Sequence, residues 1–73
     1  MKRLKIKNNV RYFRRLLDMT QEELSEGIGV HRQTIIAIEK QKHNPSIDVV
    51  LLLASTLNKS VEELFFFEES KVN

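Results

Sequence analysis

The sequence predicts an all-α fold, in which five short helices pack into one compact domain of 73 residues. Apolar residues recur at intervals of three or four along most of the chain, which is the spacing of one helix face. The pattern Ser/Thr-x-x-Glu, which closes a helix start with reciprocal hydrogen bonds, precedes two of these segments. Together, the periodic segments and their start signals indicate a small helical bundle.

The N-terminal part combines a strand-like segment with the first helix. Residues 2–7, KRLKIK, alternate charged and apolar residues as a short strand does, and they fit a disordered basic arm equally well. Asn8 or Asn9 is a favourable N-cap for a helix that runs to about Asp18. Its inner face is predicted to consist of Val10, Phe13 and Leu17, and its outer face carries Arg11 and Arg15.

The central stretch, residues 21–40, predicts two short helices joined by a tight turn. Thr20 and Glu23 form a capping box at the start of the first of these helices. Gly29 supplies the left-handed conformation that ends this helix, and the next one begins at His31 or the residue after it. The second helix is apolar on one side and carries Arg, Gln and Thr at its N-terminal end. That combination suits a helix that enters a DNA major groove.

The C-terminal part predicts two further helices. Ser46 is the expected N-cap of the fourth helix, and Asn58 is its expected left-handed end. The predicted buried face of the fourth helix consists of Ile47, Val50, Leu51, Ala54 and Leu57, with Leu53 alongside. A second capping box, formed by Ser60 and Glu63, opens the fifth helix.

The charge of the chain is distributed unevenly, although the formal net charge is only +2. Residues 1–43 hold ten basic and five acidic residues, a net charge of +5, whereas residues 44–73 hold two basic and five acidic residues, a net charge of −3. Because the central helix pair lies in the basic half, this asymmetry favours a surface that binds a nucleic acid.

The residues do not assemble an enzyme site. Cys is absent, which excludes disulfides and thiolate metal sites. His31 and His43 are twelve residues apart, without a third ligand at metal-binding spacing. Adjacent acids such as Glu22 and Glu23 point about 100° apart on a helix, so they cannot act as a pair. We therefore expect a protein that is not an enzyme and that uses no metal or cofactor.

No segment has the apolar character of a signal peptide or the length of a membrane-spanning helix. The expected location of the protein is the cytoplasm.

The central residues resemble the helix-turn-helix of the Xre/Cro family of phage-repressor-like transcriptional regulators. The residues that carry the resemblance are Gln21, Leu24, Ile28, Gly29, Val30, Ile35 and Ile38. The phrase GVHRQTIIAIEKQKHNPS is similar to the family's usual GVSRQTISAIENGKYNPS, and the match covers roughly residues 9–66. The chain departs from the family at Ser25, at Gly27 and at His31, which is a poor N-cap.

The resemblance implies a phage-repressor-type bundle of five helices. Small stand-alone members such as the cytolysin repressor also imply a two-stranded antiparallel sheet, which would join residues 2–7 to residues 64–69. The family commonly pairs an Arg with a Glu at the positions of Arg14 and Glu39. We therefore expect a partly buried ion pair between these two side chains.

The second helix of the motif provides the expected base contacts, and its surroundings provide the expected phosphate contacts. Side chains with suitable hydrogen-bond donors or methyl groups for base edges are Arg32, Gln33, Thr34 and Ala37. The expected phosphate contacts, which follow from the resemblance and from local charge, are Gln21, His31, Lys40, Lys42, His43 and Asn44.

These observations predict a transcriptional regulator that binds double-stranded DNA sequence-specifically, acting as a repressor and as a homodimer on a palindromic operator. The alternative is an antitoxin or antirepressor that uses the same fold for protein contacts. Four consecutive large apolar residues exceed what one small bundle buries. The expected dimer interface consists of Leu52, Leu64, Phe65, Phe66 and Phe67. In the competing interpretation, Phe66 or Phe67 packs onto Leu4 and Ile6 of the same chain.

Overall fold

A computed structural model describes residues 3–70 of the chain, with five helices and a small antiparallel sheet. In chain order the elements are β1 (Arg3–Asn8), α1 (Val10–Leu16), α2 (Gln21–Ile28), α3 (Arg32–Glu39), α4 (Ile47–Leu57), α5 (Val61–Leu64) and β2 (Phe65–Ser70). The all-α bundle and the added sheet are therefore confirmed. Lys2, which the sequence assigned to the first strand, lies outside the described residues.

Both predicted capping boxes are present. Thr20 Oγ1 accepts a hydrogen bond from the backbone N–H of Glu23 at 3.0 Å, and Glu23 Oε1 accepts one from the backbone N–H of Thr20 at 2.9 Å. Ser60 and Glu63 make the same two bonds at the start of α5. Gly29 ends α2 with φ +75°, a left-handed conformation that glycine adopts without steric cost.

Two helix ends differ from the sequence prediction, and at a third the structure decides between the two predicted caps. α1 ends at Leu16, and Asp18, predicted to be helical, has φ +53°. Asn8 rather than Asn9 makes the capping contact, since its side-chain oxygen accepts from the N–H of Val10 at 3.1 Å. Ser46 occupies the N-cap position of α4 but makes no cap bond, because its hydroxyl donates to Asp48 instead.

The helices enclose one hydrophobic core. Its buried side chains are Val10, Leu24, Ile28, Ile35, Ile38, Leu53, Leu57 and Leu64. α2 and α3 pack against each other at its centre, as the spacing of their apolar residues predicts. Phe13 and Met19 are half-buried and pack against this core, whereas Leu17, predicted to face inward, is exposed because it lies beyond the end of α1.

The predicted inner face of α4 is confirmed at Leu57, which is buried, and at Ala54, which packs against the core, but it is wrong at Ile47 and Leu51. Ile47 and Leu51 are 69% and 55% exposed, and the residues of α4 that enter the core are Leu53 and Leu57. The only strongly polar residues on its outward face are Asp48 and Ser55, and leucines fill the positions between them, so the sequence marks the outward direction weakly. The contacts with α2 and α5, which sequence periodicity does not specify, set the rotation of α4.

The sheet joins the two ends of the described chain. β1 pairs antiparallel with β2 in a register that runs from Arg3 opposite Ser70 to Asn8 opposite Phe65. Just after β1, the N–H of Asn9 donates to the carbonyl of Leu64 at 2.8 Å, which connects the sheet to α5. The strands therefore extend the bundle beside its core.

The predicted ion pair between Arg14 and Glu39 is confirmed. Arg14 Nε donates to Glu39 Oε2 at 2.7 Å, and Arg14 Nη2 donates to Glu39 Oε1 at 3.1 Å, a bidentate geometry. The third guanidinium nitrogen, Nη1, donates to the carbonyl of Met19 at 2.6 Å. Both side chains are buried, with 9% and 3% of their surface exposed, so the pair joins α1 to the end of α3 inside the protein.

The capping boxes should make stability depend on pH in the acid range. Hydrogen bonds from Thr20, chiefly from its backbone N–H, hold the pKa of Glu23 below its usual value of 4.5, and Ser60 does the same for Glu63. Since the folded-state pKa is lowered, the stabilisation is present above pH 4.5 and is lost as the pH falls below that value.

Replacing Glu23 with Gln should therefore reduce the fall in melting temperature below pH 4.5, measured by circular dichroism. Glu26→Gln is the matched control, because Glu26 is exposed on the same helix and makes no cap bond. Equal pH profiles for the two variants would contradict the role of Glu23.

Candidate nucleic-acid interface

α3 presents a polar face opposite its core face. Ile35 and Ile38 are fully buried, which fixes the rotation of the helix. Arg32 and Gln33 are then exposed at its N-terminal end, and Thr34 and Ala37 are half-buried beside them. His31 precedes the helix in an extended conformation and makes no side-chain cap bond, as its poor capping tendency predicts.

A shallow depression runs along this face of α3. Its lining combines three of the predicted base contacts with two of the predicted phosphate contacts, namely Gln33, Thr34, Ala37, Lys42 and His43. Lys42 and His43 come from the loop after α3, in which Gln41 has φ +64°. This turn brings the loop back beside the helix. Lys40 and Asn44 are also exposed in this region, but they do not line the depression.

Arg32 lies in a second cleft, at the N-terminal ends of α2 and α3. The cleft is lined by Arg11, Arg14, Arg15, Thr20, Gln21, Glu22 and Arg32. Sequence reasoning did not assign Arg11 and Arg15 to the site, although their spacing of four residues on one helix face was visible. Among the side chains described in residues 5–68, Arg14 forms a salt bridge with Glu39. Arg11, Arg15 and Arg32 form none within this range, so no carboxylate pairs with them in the cleft.

Gln21 occupies the predicted position at the first turn of α2, but its side chain has a structural contact as well. Its Nε2 donates to Glu39 Oε1 at 3.1 Å, so Gln21 also supports the buried ion pair. The same nitrogen carries a second N–H, which is the donor that remains for a phosphate. The resemblance pointed to the phosphate contact alone and missed the bond to Glu39.

The predicted dimer residues divide into buried and exposed groups. Leu64 is fully buried in the monomer core, because the last residue of α5 faces inward before the chain enters β2, so its assignment to an interface is wrong. Phe65 is half-buried and packs against the core. Leu52, Phe66 and Phe67 are exposed by 44%, 39% and 68%.

Phe67 lies opposite Ile6 in the sheet, as the competing interpretation required, yet this contact leaves most of Phe67 exposed. The side chain of Leu4 lies outside those that the structure describes.

Within residues 3–70, no group of three potential metal ligands comes together. No helix in this range has both the length and the apolar character needed to cross a membrane.

Comparison with known proteins identifies the family. The helix-turn-helix family model HTH_3 matches residues 10–64. The chain belongs to this family, which is of the Xre type. This helix-turn-helix protein is a transcriptional regulator with a DNA-binding fold, and the family is not one of enzymes.

Individual relatives agree with this assignment. A helix-turn-helix-type transcriptional regulator of Methanocaldococcus jannaschii is 41% identical over 66 residues, which cover 90% of this chain and 100% of the relative. The transcriptional repressor RstR of the cryptic phage CTXphi of Vibrio cholerae is 34% identical over 56 residues, 77% of this chain and 50% of the relative. The crystal structure of the restriction-modification controller protein C.AhdI of Aeromonas hydrophila aligns with a TM-score of 0.69 and 28% identity, covering 74% of this chain and 82% of that one.

Proposed function

We propose that this regulator is a cytoplasmic repressor that binds double-stranded DNA sequence-specifically, as a homodimer on a palindromic operator, and that has no enzymatic activity. The observation that carries this proposal is the exposed N-terminal half of α3, where Arg32 and Gln33 project from a helix held by two fully buried isoleucines. A rigidly held helix with exposed polar side chains at its N-terminal end suits insertion into the major groove.

The side chains of this half of α3 suit distinct base edges. The Arg32 guanidinium can donate two hydrogen bonds to O6 and N7 of guanine, and the Gln33 amide can bridge N6 and N7 of adenine. The Thr34 methyl group and Ala37 can contact a thymine methyl group. We therefore assign base recognition to these four residues.

Phosphate contacts surround this base-recognition surface. At its N-terminal side we assign them to His31 and to the free amide hydrogen of Gln21, which is close to the positive end of the α2 dipole. At its C-terminal side we assign them to Lys40, Lys42, His43 and Asn44, which are all exposed. Because phosphates carry no sequence information, these residues would hold the register of the helix on DNA rather than choose the bases.

The exposed apolar side chains of the acidic half support a homodimer. α4 is apolar on nearly every side, yet one chain leaves Ile47, Leu51 and Leu52 exposed. A helix of that composition is ordinarily buried all round, so we infer that a second copy of the chain buries these exposed side chains. With Phe66 and Phe67 these residues form the proposed interface. An interface there leaves both basic halves free and allows two recognition helices to lie about 34 Å apart, one DNA turn.

Repression fits binding to an operator as a dimer, since an operator-bound dimer can block a promoter without further contacts. The relative RstR is itself named a transcriptional repressor.

Selection of bound duplexes from random double-stranded DNA tests the proposed function. We expect a palindromic consensus, and Arg32→Ala or Gln33→Ala should each weaken binding by about 1–3 kcal/mol and relax the preference at one base pair. Lys42→Ala is the contrasting variant, which should weaken binding to all sequences alike and reduce the salt slope by about one unit. Failure to enrich any sequence would favour the protein-contact alternative, an antitoxin or antirepressor. Unchanged selectivity in Arg32→Ala would refute base contact by Arg32.

A further inference from the structure

A basic groove lies between β1 and the loop that follows α3, outside the helix-turn-helix itself. Its basic lining residues are Lys5, Lys7, Lys42 and His43, and none of the described residues that line it is acidic. Phe67 also lines the groove, so the groove adjoins the proposed dimer interface. Lys5 is exposed and Lys7 is half-buried. The family match begins at residue 10, so β1 lies outside the matched helix-turn-helix segment.

The groove is continuous with the base-recognition surface. Lys42 and His43 line both the groove and the depression along α3. A DNA duplex seated on α3 would therefore have its backbone beside these two residues, and the next basic side chains along the same surface are Lys5 and Lys7.

Hydrogen bonds hold β1 in place against the end of α3. The Gln41 side chain pairs with the backbone of Asn8 as a neighbouring strand would, since its Oε1 accepts from the Asn8 N–H at 3.0 Å and its Nε2 donates to the Asn8 carbonyl at 3.1 Å. Asn8 Nδ2 donates in turn to the carbonyl of Ile38, in the last turn of α3, at 2.9 Å. The position of β1 is thus tied to that of the recognition helix.

We propose that β1 is a second DNA-contacting element, in which Lys5 and Lys7 bind backbone phosphates beside the half-site that α3 occupies. This role rests on the DNA binding proposed above and extends its contact surface past the helix-turn-helix. Lys7 makes the stronger contribution, because its cross-strand partner is Phe66, whereas Lys5 lies opposite the carboxylate of Glu68. Asn8 and Gln41 act as positioning residues.

The first test measures the dissociation constant of a selected duplex over a series of KCl concentrations. Lys5→Gln/Lys7→Gln should reduce the salt slope by up to about two units, since each phosphate contact contributes about 0.9. Lys7→Gln alone should account for the larger part of this reduction in salt slope, whereas Lys7→Arg should keep the slope of the parent protein. The base preference should stay unchanged. Lys59→Gln is the control for loss of one positive charge, because Lys59 lies over the Phe13 ring, away from the groove.

The second test asks whether the lysines of β1 contribute to DNA binding only through their charge, or whether β1 must also be held in place beside α3. Gln41→Ala removes the side-chain pairing with Asn8 and leaves both lysines in the chain, so it should also reduce the salt slope. Combined with Lys5→Gln/Lys7→Gln, it should cause little further reduction, whereas independent roles would give additive losses. Circular dichroism melting curves show whether each variant is folded at the assay temperature. If Gln41→Ala is not folded there, Asn8→Ser replaces it in the test.

The outcomes separate this proposal from the function on which it rests. A parent protein that binds no selected duplex contradicts DNA recognition itself. A parent that binds selectively, with the same salt slope in Lys5→Gln/Lys7→Gln as in Lys59→Gln, overturns the role of β1 alone. A change in base preference in the lysine variants would also overturn it, since phosphate contacts carry no sequence information.

Discussion

Arg14→Met should lower the free energy of unfolding by about 3–5 kcal/mol, because it leaves the carboxylate of Glu39 buried without its cation. Only 3% of the Glu39 side chain is exposed, and Gln21 would be its one remaining side-chain hydrogen-bond donor among the described residues. The same variant removes the bond from Arg14 to the carbonyl of Met19, so the segment between α1 and α2 loses an anchor. Denaturant unfolding followed by circular dichroism measures the loss.

A double-mutant cycle separates the ion pair from the packing of the two side chains. Glu39→Leu alone should also lower the free energy of unfolding, since it leaves the guanidinium of Arg14 buried with the Met19 carbonyl as its acceptor among the described residues. Arg14→Met/Glu39→Leu should recover much of the loss, because replacing both buried charges by apolar side chains is often neutral or stabilising. Additive single effects below about 1 kcal/mol, the size typical of surface pairs, would show that the pair does not join α1 to α3 energetically.

Leu51→Glu should convert the proposed homodimer into a monomer and weaken operator binding by about 10²–10⁴-fold, the range over which a linked second site raises avidity. A carboxylate at this position would have to lose its water within an apolar interface. Analytical ultracentrifugation at tens of micromolar protein gives the oligomeric state, and titration of a selected duplex gives the affinity. Leu51 is 55% exposed, so the monomer fold should tolerate the change.

Leu16→Glu is the matched control, because Leu16 is a leucine of similar exposure, 61%, on α1 and outside the proposed interface. It should leave the dimer intact. Phe67→Ser tests the contribution of the sheet to the same interface. A monomeric parent protein would refute the homodimer, and a dimer that survives both Leu51→Glu and Phe67→Ser would show that the interface lies elsewhere.

The sequence by itself determined the features that depend on neighbouring residues. The capping boxes at Thr20 and Ser60, the left-handed residue Gly29 and the spacing of Ile35 and Ile38 are local signals, whose hydrogen bonds and periodicity act within one or two helical turns. Because these signals define α2 and α3, the helix-turn-helix and its exposed polar end were predictable. The ion pair between α1 and α3 was predictable only through the family resemblance.

Tertiary structure alone decided which side of an ambiguous element is buried. α4 carries apolar residues on nearly all sides, so only its packing against neighbouring helices sends Leu53 inward and leaves Leu51 outside. Tertiary structure also decided the burial of Leu64, because that burial depends on where α5 ends and the chain enters β2. The pairing of Asn8 with Gln41, 33 residues apart, is a long-range contact that no local pattern encodes. That contact places the lysines of β1 beside the recognition helix.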